Sequence, residues 1–296
     1  MKIEFYEKVN FMKNILNFLT FFILFFAAVF APVFGEEIKQ NKIKADLTIA
    51  NNEIFIISLF DREINKDILS TDDESEQRKI DELYNADLAN RALGNVVLVK
   101  NPNFNLLINT GDRSVFNRLK AELEKRDTKI ADITHIALCN AYSDNIGGLG
   151  KIYKKFKNAT LLMDKNEYNY WQKEGDELSK KRLEFYKNKL EFFENGAEII
   201  KNSGIKPIDA KGNTPGSVIF SFNDEFFDIC DLIYSFDIQL LNPNIGSKYD
   251  IDATKANESR NQIITLLKEN KKKFIGFYAP ESEALSFDEW LEIIAR

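Results

Sequence analysis

The stretch that most limits what this chain can fold into is residues 133–150, Ile-Thr-His-Ile-Ala-Leu-Cys-Asn-Ala-Tyr-Ser-Asp-Asn-Ile-Gly-Gly-Leu-Gly. Its apolar run, residues 133–138, reads as a buried strand. The strand ends in a polar turn, and the turn runs into the paired glycines Gly147-Gly148. A buried strand needs a core around it, and 296 residues with 44% hydrophobic content supply one, with room for one large domain or two small ones. A charged fraction of 29% argues for a soluble surface.

The net charge is −6, of which residues 1–35 contribute +1 through Lys2, Lys8 and Lys13 against Glu4 and Glu7, leaving −7 for the remainder. An acidic chain with no basic stripe is not built to track a phosphate backbone, so nucleic acid is excluded as a partner. Lys13 precedes an apolar stretch over residues 15–33, then Phe34-Gly35 and Glu36-Glu37. This is the layout of a signal peptide over residues 1–35, cleaved after Gly35, with Met12 as an alternative start. The mature protein is then expected to be periplasmic or secreted. The competing expectation is an uncleaved membrane anchor, because the stretch is nearly long enough to span, although Asn17, Thr20 and Pro32 interrupt it. Residues 36–45 read as a polar linker, and residues 46–296 as the folded domain.

Within that domain, residues 47–57 form the first strands, and residues 70–79 are expected to be an exposed acidic loop. Residues 80–93 have helical spacing. Two apolar strands, residues 96–99 and 106–108, flank the turn Asn101-Pro102-Asn103, and Asn109-Thr110-Gly111-Asp112 follows. Ser114 is placed to cap a helix reaching Arg126, with Val115, Leu119 and Leu123 on one face. Residues 159–163 read as a strand and residues 166–172 open a helix bearing Tyr168, Tyr170 and Trp171. Residues 179–194 read as one charged helix. The turn Gly212-Asn213-Thr214-Pro215-Gly216-Ser217 uses the fixed dihedrals of proline and glycine. A hairpin over residues 218–229 turns at Asn223-Asp224 and leads to Cys230-Asp231-Leu232-Ile233-Tyr234. A helix over residues 255–270, a strand over 274–277 ending in Tyr278-Ala279-Pro280, and a helix over 285–294 complete the chain.

These landmarks, in this order, resemble the metallo-β-lactamase superfamily over roughly residues 45 to 290. The loop after the buried strand is similar to His-x-His-x-Asp-His-x-Gly-Gly, with Asn140, Tyr142 and Asn145 at the histidine positions and Asp144 at the aspartate. Asn109-Thr110-Gly111 stands where the family reads Asp-Thr-Gly. Asn213 stands at the histidine of Gly-His-Thr-Pro-Gly, Asp231 at the metal-bridging aspartate, and Tyr278 at the last metal histidine. Residues 239–243, 249–252 and 256–260 resemble the branch of lactonases and organophosphate hydrolases. The resemblance implies an α/β fold, a four-layer αββα sandwich of two mixed sheets flanked by helices.

Zinc is the cofactor this family implies, yet five of seven ligand positions carry amides or phenols, which bind zinc poorly at neutral pH. The one histidine, His135, lies in the strand before the loop, and no Cys-x-x-Cys occurs. Asp144 and Asp231 remain as catalytic candidates and as ligands for a hard cation such as Ca²⁺ or Mg²⁺. Alternatively, both accept hydrogen bonds in a buried polar network. The expected pocket is Asn140, Tyr142, Asp144, Asn145, Asn213, Asp231 and Tyr278. Three functions fit: a pseudoenzyme whose pocket binds a small ligand or a partner, a residual hydrolase of an ester, lactone or phosphoester, and a structural or interaction protein. The resemblance also brings Cys139 and Cys230 to strand ends facing one centre. In an oxidising compartment the pair could close a disulfide stabilising by about 4 kcal/mol on the chain-entropy model, or the two could stay buried thiols.

Overall fold

The computed structural model describes residues 43–84, 91–149 and 156–295, which belong to one compact unit beginning at Ile43. The signal peptide and most of the linker expected from the sequence lie outside the described residues. No helix among the described residues is long and apolar enough to cross a membrane.

Period-two alternation, buried on both faces, builds the larger sheet. Along β2 (Asn52–Ser58) Ile54 and Ile56 join one apolar cluster while Phe55 and Ile57 join another. β6 (Asn95–Asn101) divides Val97 and Val99 from Val96 and Leu98 in the same way, and β7 (Phe104–Ile108) divides Leu106 and Ile108 from Leu107. A sheet whose two faces are both apolar must be covered twice. The remaining strands of this seven-stranded sheet are β1 (Leu47–Ile49) at one edge, then β8 (His135–Ala137), β9 (Thr160–Met163) and β10 (Leu190–Phe192) toward the other. Pairing is antiparallel from β1 through β7 and parallel from β7 to β10.

The second sheet has four strands, β11 (Ile205–Asp209), β12 (Val218–Phe222), β13 (Phe226–Asp228) and β15 (Lys273–Ile275), in that order, with only the last pair parallel. Its residues Val218, Phe220, Phe222 and Phe227 share the first cluster with Ile54, Val97 and Leu106. That cluster also takes in Ile263 and Leu267 of α6 (Ala253–Glu269) and Trp290 of α7 (Phe287–Ile294). The other cluster holds Leu119 and Leu123 of α2 (Phe116–Glu124), Trp171 of α4 (Lys165–Glu174) and Leu183 of α5 (Glu177–Phe185). The result is the four-layer αββα sandwich with two mixed sheets. Two small ribbons, β3 (Arg62–Glu63) with β5 (Arg91–Ala92) and β4 (Leu69–Ser70) with β14 (Gly246–Ser247), sit outside it.

Local expectations fail in four places, one of them residues 80–93, where the helix ends at Tyr84 and Arg91–Ala92 are strand, paired with Arg62–Glu63. Residues 70–79 are not all loop, because α1 (Glu74–Tyr84) starts inside them, with Asp73 accepting from the backbone N–H groups of Ser75 and Glu76 at 2.7 and 3.1 Å. Ser114 does not cap the helix before β8: it lies in a 3₁₀ turn, Arg113–Val115, that is capped by Asp112, which accepts from Ser114 N at 2.7 Å, and the α-helix that starts at Phe116 has no side-chain cap. The charged helix expected to reach residue 194 stops at Phe185, and Leu190–Phe192 instead form the edge strand beside β9.

Candidate functional site

Five chain segments meet at the ends of the strands, held by backbone hydrogen bonds, the first of those that follow running from one sheet to the other. Val218 N donates to Cys139 O at 3.0 Å, Phe277 N to Cys230 O at 2.6 Å and Thr110 N to Asn145 O at 2.8 Å. The glycine pair permits the last of these contacts. A Cβ on Gly148 would lie 2.6 Å from Thr110 O, and one on Gly147 would lie 2.3 Å from Arg113 N. Two short turns follow Tyr142, namely α3 (Ser143–Ile146) and a 3₁₀ turn at Gly147–Leu149.

Of the side chains at the seven expected positions, six fall into two hydrogen-bonded groups, while the Tyr142 hydroxyl turns to the backbone of Tyr249. In the first, Asn140 Nδ2 donates to both oxygens of Asp231, at 2.8 and 2.9 Å, and lies 3.3 Å from Asn213 Oδ1. Asn145 Nδ2 donates to Asp231 Oδ2 at 3.1 Å and to Asn140 Oδ1 at 2.6 Å. Asn145 Oδ1 is buried and takes no hydrogen bond among the described residues. Asn213 Nδ2 in turn donates to the Tyr234 hydroxyl at 3.1 Å and to Asp250 Oδ1 at 3.2 Å. In the second group the Tyr278 hydroxyl donates to Asp144 Oδ2. Desolvation pushes the Asp231 carboxyl up to about 7, and the neighbouring Asp144 pushes the same way, against the amide donors of Asn140 and Asn145. Desolvation also raises Asp144, opposed by the Tyr278 hydrogen bond. Tyr278 is raised well above the usual phenol range by burial and then by Asp144.

Three supports were not predicted as site residues. Glu167, fully buried on α4, accepts from Ala141 N and Trp171 Nε1 with one oxygen, at 2.8 and 2.6 Å. Its other oxygen accepts from the Thr214 hydroxyl and Gly216 N, at 2.6 and 3.0 Å. One side chain thus pins the Asn140 loop to the Asn213 turn. Asp250, which orients Asn213, is itself held by Ser247 N and by the buried guanidinium of Arg260, both at 2.8 Å. The third support is Tyr234 with Tyr249. The Tyr142 hydroxyl donates to Tyr249 O at 2.6 Å, and the four rings run Tyr142, Tyr249, Tyr234, Tyr278 at centroid spacings of 5.9, 5.5 and 4.8 Å. These tyrosines, with Arg62, Asp112 and Asp144, line an open cavity of about 470 Å³. Asn140, Asn145, Asn213 and Asp231 are buried beneath its floor rather than lining it. Sequence gives little warning of Glu167, which sits among charged residues of a helix, whereas Tyr234 and Asp250 stand inside segments already singled out.

His135 is elsewhere. It lies on β8 against the Phe104 ring, with Nδ1 2.8 Å from the Thr134 hydroxyl, and burial lowers its pKa. Cys139 and Cys230 are joined as a disulfide with Cα atoms 6.2 Å apart, linking the loop after β8 to the one after β13 and so one sheet to the other. Asn109, at φ 59°, accepts from Cys139 N and donates Nδ2 to Cys139 Sγ, each at 3.1 Å.

A four-layer sandwich with a polar site at its strand ends defines a known class of hydrolase folds. The chain belongs to the metallo-beta-lactamase superfamily, whose family model matches residues 89–276. Among solved structures it is similar to AidC, a dizinc quorum-quenching lactonase, at 24% identity and a TM-score of 0.68, covering 80% of this chain and 91% of that one. The hydrolase AbOPH of the beta lactamase superfamily is similar at 20% identity and a TM-score of 0.66, covering 80% and 90%. An N-acyl homoserine lactone hydrolase with product at its catalytic metal centre is similar at 13% identity and a TM-score of 0.55, covering 75% and 91%. These likenesses establish the fold. No curated protein matches by sequence.

Proposed function

We propose that this chain is an exported ligand-binding pseudoenzyme, in which the fold of a zinc hydrolase is kept and zinc catalysis is not. The supporting observation is the saturation of Asp231, whose two oxygens accept three amide hydrogen bonds from Asn140 and Asn145. The donor set does not fit zinc. Around Asp144 and Asp231 it offers amides and phenols, with no imidazole and no free thiolate. Where a metal would supply positive charge between two carboxylates, this chain supplies N–H and O–H dipoles. No hydrolytic step is therefore routed through a metal here.

Binding takes place in the tyrosine-lined cavity, whose volume of about 470 Å³ suits a small molecule. The hydroxyls of Tyr142, Tyr234 and Tyr278 are engaged by the protein, so a ligand meets ring surfaces, Arg62 and the carboxylates of Asp112 and Asp144. Residues 1–35 direct export, and cleavage follows Gly35. With the Cys139–Cys230 disulfide intact throughout these tests, elemental analysis of protein purified without chelator is expected to find no stoichiometric zinc, and calorimetry no zinc binding at micromolar affinity. Native mass spectrometry is expected to find a small molecule that is lost in Tyr249→Ala. Tight stoichiometric zinc binding, or Ca²⁺- or Mg²⁺-dependent hydrolysis of an ester, lactone or phosphoester abolished by Asp231→Asn, would overturn the reading in favour of a hydrolase. Amino-terminal sequencing of the mature protein tests the export step.

A further inference from the structure

Beneath the disulfide lies a third potential ligand. The two sulfurs and a carboxylate oxygen of Asp228 lie within 4.8 Å of one another, and all three residues are buried. Cys230 N donates to Asp228 Oδ1 at 3.0 Å, fixing that carboxylate, and Asn109 Nδ2 approaches Cys139 Sγ as an N–H donor. Each of these contacts is what surrounds a thiolate metal site, where hydrogen bonds orient the ligands and spread their charge. In tetrahedral zinc coordination, bond lengths near 2.3 Å to sulfur and 2.0 Å to oxygen set ligand atoms about 3.5–3.8 Å apart. A Cα separation of 6.2 Å accommodates two sulfurs at that distance after small rotations.

We infer that Cys139, Cys230 and Asp228 form a second, redox-gated site that takes a soft divalent cation of the zinc or cadmium class when the disulfide is reduced. This site is distinct from Asp144 and Asp231 and does not depend on the function proposed above. A dithiol reductant supplies two electrons and two protons: the S–S bond breaks, each sulfur becomes a thiol, and the reductant closes its own disulfide. The cation then displaces both thiol protons to solvent and is held by two thiolates and the Asp228 carboxylate, with water free to complete the tetrahedron. The same sulfurs serve as a cross-link under oxidising conditions and as cation ligands under reducing ones.

The test is cadmium titration of the full chain, followed by the thiolate-to-cadmium ultraviolet band, after reduction has been verified as two thiols per chain. The expected result is one cadmium per reduced chain and none per oxidised chain. Cys139→Ser should lose the band, and Asp228→Asn should keep both thiols but weaken binding about 100-fold. If reduction loosens the fold, circular dichroism should show cadmium restoring it. A reduced chain that gives no band, whether folded or not, overturns the inference. So does cadmium binding unchanged in Asp228→Asn, or binding that survives Cys139→Ser.

Discussion

Replacing Glu167 by glutamine changes one oxygen to an NH₂ group, and the consequences follow from its four donors. The parent carboxylate accepts two hydrogen bonds on each oxygen, from Ala141 N and Trp171 Nε1 on one side and from Thr214 Oγ1 and Gly216 N on the other. Glutamine can serve only one side. The least costly arrangement keeps its oxygen toward Ala141 and Trp171 and turns the Thr214 hydroxyl to accept, since its neighbour Ser217 Oγ, 2.5 Å away, can donate instead. Gly216 N–H then faces another donor in a dry site. An unpaired buried donor costs roughly 1–3 kcal/mol, and the other hydrogen bonds lose their charged acceptor as well. The expected loss is about 3 kcal/mol, or a fall in Tm of about 6–12 °C for a domain of this size. Urea unfolding followed by tryptophan fluorescence measures it, Trp171 being a direct neighbour. Glu167→Ala should cost more, because no acceptor remains. A Glu167→Gln midpoint equivalent to less than about 0.5 kcal/mol from the parent would refute the reasoning. It would mean that the residue is already a neutral acid donating to Thr214.

Three further outcomes are expected. Arg260→Met leaves Asp250 as an unpaired buried carboxylate and should cost about 3–5 kcal/mol in the same urea assay, while Arg260→Met with Asp250→Leu should recover part of the loss. Burial raises Asp237 to about 6, so the unfolded chain ionises first as pH climbs. That group's contribution favours the fold below about pH 4 and is lost between about pH 4 and pH 6, and Asp237→Asn should flatten the urea midpoint across that window. Restoring histidine at Asn140, Tyr142, Asn145, Asn213 and Tyr278 together should recover stoichiometric zinc binding by calorimetry. A folded product that binds none would show that the loops no longer converge as the hydrogen bonds among these side chains indicate.

Residues whose job is backbone geometry were readable in advance. Gly147-Gly148 and Thr214-Pro215-Gly216 announce their turns because almost no other residues fit, and the apolar runs before them announce the strands. Harder to read were elements made by tertiary contact. Leu190–Phe192 continue a helical spacing from Leu183 and Tyr186, yet they become strand because the open edge of β9 offers a row of backbone partners. In α1 only Ile80 is buried, so hydrophobic periodicity was weak there, although the cap at Asp73 was present in the sequence. Glu167 was invisible for another reason: nothing in a charged helix distinguishes the one carboxylate that faces inward. The amides and phenols at the positions where the resemblance expects histidine could be seen at once, but the partners that Asn140 and Asn145 take could not.

The cross-link between Cys139 and Cys230 has a mechanical consequence. A chain pulled from its two ends lengthens by the contour of every residue it releases, and 91 positions at about 3.4 Å each are withheld while the bond is intact. The oxidised protein should therefore give up roughly 300 Å less extension than the reduced one when unfolded under force. A protease that cuts anywhere within that ring opens it without freeing either piece, so a nicked molecule runs as one species until a reductant is added.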